Sequence, residues 1–544
     1  MIRTPILFAA ALLFSPFAGK AQSTQGKPKL VVGIVIDQLR TDYLYRFEDG
    51  YSEGGFKRLM REGFFCANHH FSFMPTYTGP GHASVYTGTT PSGHGIVSNN
   101  WYDPRDQTDM YCVEDKSVRT TGIANADGQM SPLNLKSSTI TDELMLHWNM
   151  RSIVTGVSIK DRGAILPAGH LGEAYWYSKG KFITSSYYMD ELPAWVDEFN
   201  ARSLPEKYVD NGWDLLLPEE KYAASQPDDS PYEATMAGED APVFPRDLQS
   251  FVKDSGFDNV FKNSPSCNTF VLDFAIAAME GRNMGSDDIT DFLTVSFSST
   301  DYLGHAMGTR SREVQDMYLR LDRDLAEFFE YLDENIGKGE YTVFLTSDHG
   351  AADVPQFNSD LGMPGGYIVK FNLDSLVKTA LNEVYPEGEG FVKKTGRGGI
   401  YLNRTAIAKS GAAYSEVCNY IAALIRNIEG VYNAYPAEAV MNGGGSHEFP
   451  IRALSRGLYP SLAADVVIVS DNGWISYGPV GTTHGSPWTY DTHVPLIFFG
   501  KGIAQGVTYR ETNIRDIAPT LSMMLKIGLP SAATGVPVQE AIAE

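Results

Sequence analysis

LVVGIVID, from Leu30 to Asp37, is an unbroken apolar run closed by a carboxylate. Rich in β-branched residues and without polar alternation, it suits a strand buried on both faces, as in parallel sheets covered by helices. Three later runs repeat the form: Ser152 to Ile159 (SIVTGVSI), Phe292 to Ser298 (FLTVSFS) and Thr342 to Thr346 (TVFLT). The third run stops just before Asp301 and the fourth just before Asp348. Helical periodicity separates them, notably over Thr139–His147 and Val314–Asn335. This alternation predicts an α/β fold, a doubly wound sheet flanked by helices. Ligands of such sheets collect beyond the carboxyl ends of the strands, where Asp37, Asp301 and Asp348 are all expected. Two less regular stretches, about 167–261 and 364–479, read as cap insertions over that edge, within one catalytic domain spanning 22–544.

The N-terminus reads as an export signal. Arg3 precedes an apolar run from Pro5 to Phe17, and Gly19 and Ala21 have the spacing of a cleavage site after Ala21. Removing residues 1–21 takes Arg3 and Lys20 with it, so the net charge of −22 becomes −24. A periplasmic or secreted protein is expected, with no stable membrane anchor and a monomeric state as the working assumption. So acidic a surface repels nucleic acid. It repels phosphate esters too, so a phosphate site here must carry concentrated positive charge of its own. Cys66, Cys112, Cys267 and Cys418 form no C-x-x-C pair, which disfavours a thiolate metal site. In an oxidising compartment they are expected as disulfides, Cys66–Cys112 and Cys267–Cys418.

The chemistry gathers in short polar segments. TDYLGHAMG places Asp301 and His305 four apart, on one face of a helical turn. SDHG sets Asp348 beside His349 at a strand end, and GTTHGSPW offers His484 in a glycine-flanked loop. With Asp37 this makes three carboxylates and three imidazoles, a nitrogen and oxygen set suited to two zinc ions. His69, His70, His147, His447 and His493 read as ordinary core or surface histidines. Thr78, in TYTGPGH, opens a predicted helix; beside a divalent cation its hydroxyl becomes a competent nucleophile. In IKDRG, Lys160 and Arg162 are two apart after a strand and are expected on one face, facing phosphoryl oxygens together with Asn99.

The ordered set of Asp37, TGPGHASVYTG from Thr78, PSGHGI from Pro91, DYLGH, SDHG, TTHG and RDIAPTLS from Arg515 resembles the alkaline phosphatase superfamily. The resemblance implies a zinc held by Asp301, His305 and His484, and another by Asp37, Asp348, His349 and the Thr78 oxygen. Thr78 departs from the modified Cys or Ser of sulfatases. Asn99, Lys160 and Arg162 resemble the substrate contacts of PafA-type bacterial alkaline phosphatases. That resemblance implies phosphate monoester hydrolysis through a phosphothreonine, with zinc and no magnesium site. The alternative is a nucleotide pyrophosphatase/phosphodiesterase on the same metal centre.

Overall fold

The computed structural model describes residues 26–368, 372–396, 398–443 and 448–543. The expected leader, Gly444, Gly445 and His447 lie outside the described residues. The central sheet is built from β1 (Leu30–Ile36), β2 (Phe64–Cys66), β3 (Thr120–Thr121), β4 (Val154–Ser158), β5 (Glu173–Ser178), β6 (Lys181–Ser185), β7 (Asp291–Phe297), β8 (Tyr341–Thr346), β9 (Leu496–Gly500) and β10 (Gly506–Thr508). Their order is β10-β2-β9-β8-β1-β7-β4-β5-β6-β3. The five central strands from β8 to β5 run parallel, and β9 and β6 pair against them antiparallel. All seven residues of β1 are buried, as its unbroken apolar run requires.

Register decides where the chemistry lands. Ile36 pairs with Phe297, Val35 with Thr346 and Ser296 with Ser158, so the four strands end at one level. Asp37 continues that edge by donating its N–H to the Phe297 carbonyl at 2.9 Å. The carboxylates that follow these strands therefore share one rim.

Helices cover both faces. Their stop and start signals are local: Thr139 caps α2 (Ile140–His147) in a reciprocal box with Asp142, and Ser311 caps α5 (Arg312–Leu332) by accepting from Val314 N–H. Before α2 in the chain comes α1 (Thr78–Thr87), entirely buried; α3 (Asp161–Ala168) and α4 (Ser299–Met307) follow β4 and β7.

One sequence expectation changes here. The stretch expected as an insertion from 167 contains β5 and β6, which belong to the central sheet, while Thr235 and Met236 later in the same stretch line a cavity. The later stretch carries a four-stranded antiparallel sheet of Val392–Gly396, Gly399–Leu402, Val466–Ser470 and Val431–Pro436. It packs its own apolar cluster around Val377, Leu381, Ile421 and Val466.

The expected disulfides are absent: all four cysteines are buried free thiols. Each sits in a different apolar cluster, Cys66 at the end of β2, Cys112 against α3, Cys267 in the main core and Cys418 in the cap core, so no pair can meet. Burial pushes the first three thiols up to about 12 and Cys418 to about 11, which keeps them unreactive.

Burial of neutral histidines predicts acid sensitivity. Burial alone lowers His94 to about 3, and His69 also falls well below its usual value. Unfolded chains bind these protons near pH 6.5 while the fold refuses them. Stability is therefore whole above about pH 6.5 and falls as pH drops, by about 1.4 kcal/mol per pH unit per histidine. Urea midpoints measured from pH 7 to 5 check this, and His94→Gln should flatten the slope.

Candidate metal centre

Asp37, Asp348 and His349 converge at the shared rim, all fully buried. His349 hydrogen-bonds through Nδ1 to the Gly350 carbonyl at 2.9 Å. A carbonyl can only accept, so Nδ1 carries the hydrogen and Nε2 turns toward Asp37 Oδ1 at 3.3 Å and Asp348 Oδ2 at 3.6 Å. None of these three inward atoms has a hydrogen-bond partner. Three acceptors facing one another, all within 4.8 Å, call for positive charge between them. The same demand shows in their protonation. Burial and the neighbouring Asp37 push Asp348 well above the carboxylate range. Burial opposes protonating His349, but Asp348 and Asp37 outweigh it and raise the imidazole to about 9. A divalent cation would take that proton's place.

The second set lies alongside. His305 Nε2 is 3.2 Å and His484 Nε2 3.7 Å from Asp301 Oδ1. Again each Nδ1 is spent on a carbonyl, His305 on Thr482 at 2.7 Å and His484 on Thr76 at 2.6 Å, leaving Nε2 for a ligand. Asp301 and His305 sit one turn apart on α4. The loop carrying His484 is held by Asp491, which accepts from Gly485 N–H at 3.0 Å and Ser486 N–H at 2.7 Å. The rings of His349 and His484 stack at 3.4 Å, so the two sets abut. Ligand atoms of Asp301, His349 and His484 lie within 4.8 Å of one another, and His305 reaches the centre through Asp301. The donor sets fit hard-to-borderline divalent cations such as zinc.

Thr78 is the first residue of α1, buried, and lines a cavity of about 740 Å³ with Asn99, Arg162, Tyr302, His305 and His484. A Cβ at Gly81 would run into the Asp348 carbonyl, so the glycine lets α1 lie against the metal rim. The Gly79 N–H donates to Asn99 Oδ1 at 2.7 Å, which turns the Asn99 amide NH₂ away from the helix.

Lys160 and Arg162 diverge from the expectation of one face. β4 stops at Ser158; Lys160 is the N-cap of α3 and Arg162 lies in its first turn. The buried Lys160 ammonium bridges Asp37 Oδ2 and Asp301 Oδ2, both at 2.6 Å, whereas Arg162 lines the cavity. Two buried carboxylates draw the nearest cation.

Two groups escaped sequence reading. Gln38 holds a left-handed φ of 65°, donates its backbone N–H to Asp348 Oδ1 at 3.2 Å and its amide to Asp301 Oδ1 at 2.7 Å. Its place next to Asp37 was the only signal. Tyr111 accepts from Arg162 at 2.9 Å and donates to Asp161, fixing the guanidinium from a hairpin distant in sequence. A hydrogen bond to a charged group of this kind is worth about 1.5–3 kcal/mol.

The sequence model of "Type I phosphodiesterase / nucleotide pyrophosphatase" matches residues 31–494. The chain belongs to that family, within the alkaline phosphatase superfamily. It is 41% identical to alkaline phosphatase PafA of Elizabethkingia meningoseptica, over 96% of each chain. It is 42% identical, over 99% of each, to a Myroides odoratus protein named calcium-transporting ATPase. Among the described residues no helix is long and apolar enough to cross a membrane. A crystal structure of alkaline phosphatase PafA superposes with a TM-score of 0.90 at 41% identity, covering 95% of this chain and 99% of that one. The superfamily fold expected from the sequence is the fold observed.

Proposed function

We propose that this protein is an exported alkaline phosphatase that hydrolyses phosphate monoesters through a phosphothreonine on Thr78. The observation that carries the reading is two abutting, cation-demanding donor sets, one of which lines a cavity that also holds Thr78 and Arg162. The alkaline phosphatase names of the Elizabethkingia relative and of the superposed crystal structure support the same activity.

Zinc ions held by Asp37, Asp348, His349 and by Asp301, His305, His484 would supply Lewis-acid charge, lowering the pKa of the Thr78 hydroxyl and stabilising the leaving oxygen. Thr78 Oγ attacks phosphorus in line, forming a new P–O bond as the ester P–O bond breaks and the alcohol departs. Water then cleaves the phosphothreonine, returning the hydroxyl and releasing phosphate. Arg162, held by Tyr111, forks across two equatorial oxygens, and Asn99 donates its amide to the same group. Lys160 adds positive charge, reaching the phosphoryl group once cations compete for its two aspartates. The expected cap stretches narrow the approach: Thr235, Met236 and Tyr477 line the cavity.

The test pairs metal analysis with rates on an aryl phosphate and a bis-aryl phosphate. Two bound zinc ions per chain, activity lost on stringent chelation and a strong monoester preference are expected. Full activity in the chelated protein, or a diester preference, overturns the reading.

A further inference from the structure

Outside that cavity, three arginines gather without carboxylate partners. Arg452 and Arg456 lie four apart on α6 (Ile451–Gly457), on one helical face. The helix is fastened to the segment before Thr78: Met74 N–H donates to the Ala453 carbonyl at 3.2 Å, and Gly457 packs on Met74. The same segment is fastened on its other side to the C-terminal region. Ser72 Oγ donates to Asn513 Oδ1 at 2.9 Å, and His70 pairs with Asn513 in a two-stranded ribbon. Arg515 follows two residues later, near enough to Arg456 for their charges to repel.

Their electrostatics are unusual for a chain of net charge −22. Neighbouring Arg510 pairs with Glu540 at 2.9 Å, but Arg452, Arg456 and Arg515 form no ion pair among the described residues. Arg515 Nε is buried and has no hydrogen-bond partner. Two carboxylates lie near, Glu511 and Asp516. Asp516 is already occupied, accepting from Asn513 N–H and Val536 N–H, both at 2.8 Å. Burial and the charges of Arg515 and Arg452 push the Arg456 guanidinium down to about 10. A fold keeps like charges together, with a buried donor unmade, at a cost that a bound anion would offset.

We infer that Arg452, Arg456 and Arg515 form a second anion site, taking a tetrahedral oxyanion of the phosphate class, free or as a phosphate headgroup. Guanidinium forks match such oxygens in pairs, and the site is separate from the catalytic cavity, which none of the three lines.

Isothermal titration of the full-length metal-loaded enzyme with inorganic phosphate, at low ionic strength, tests it. Wild type is expected to show one saturable site more than Arg456→Gln, and the added site should weaken at least tenfold in Arg515→Gln. Neither change should alter kcat/KM for an aryl phosphate. Sedimentation with phosphatidylglycerol vesicles separates the sources: pelleting lost in Arg456→Gln identifies a headgroup, and no pelleting with the calorimetric site intact identifies free phosphate. Equal stoichiometry and affinity in wild type and Arg456→Gln, with no Arg456-dependent pelleting, overturns the proposal. Arg456, half exposed on a helix, can be changed even where the Arg515 variant fails to fold.

Discussion

Thr78→Ala should lower turnover of any phosphate monoester by on the order of 10⁴-fold or more, the range seen when a covalent nucleophile is deleted. It should also eliminate acid-stable phosphoprotein. The loss ought to be chemical rather than structural. The N-cap of α1 is Tyr77 and no side chain closes that end of the helix, so removing the hydroxyl leaves no cap undone. Asp37, Asp348 and His349 are oriented by the sheet edge and by Gly350, not by Thr78. Metal content and Tm of the variant should accordingly stay close to wild type. Rapid quenching of enzyme mixed with a ³²P-labelled ester, followed by gel analysis, reads the phosphoprotein directly. Label persisting on Thr78→Ala would place the nucleophile elsewhere. Thr78→Ser should recover part of the rate, since it restores the oxygen and omits only the methyl group.

The sheet was legible because burial on both faces leaves a coarse mark: four unbroken apolar runs, each matched to within two residues at either end by β1, β4, β7 and β8. The rim was legible for a related reason. A strand's end fixes where the next polar residue must stand, and Asp37, Asp301 and Asp348 follow such ends. What stayed hidden depends on packing between segments distant in the chain. The path after Ser158 bends into α3, which separates Lys160 from Arg162, and nothing in IKDRG alone distinguishes that bend from continued strand. Gln38 and Tyr111 act through hydrogen bonds to residues 310 and about 50 positions away, respectively. The cysteines misled because an oxidising compartment was expected for the chain, whereas each serves as a small apolar side chain in a separate core.

The separation of Lys160 from Arg162 makes Arg162 the sharper probe of substrate class. Lys160→Ala would strip the ammonium from two buried aspartates, so its loss mixes stability, metal affinity and catalysis. Arg162 contacts neither donor set; its guanidinium donates to the Tyr111 hydroxyl. A monoester dianion presents one more unesterified oxygen than a diester, and a fork held in the cavity gains most from that extra charge. Arg162→Ala is expected to reduce kcat/KM for an aryl phosphate by about 10²- to 10³-fold, the scale of a deleted charge-stabilising donor. For the corresponding bis-aryl phosphate the reduction should stay within about tenfold, because neutralised oxygen offers the guanidinium a weaker partner. Parallel steady-state assays of both esters give the ratio of ratios. If both substrates suffer alike, Arg162 serves general positioning and the monoester preference must come from elsewhere in the cavity. If neither suffers, the diesterase reading of the same metal centre gains ground, since a diesterase has no need of a cation for an oxygen its substrate lacks.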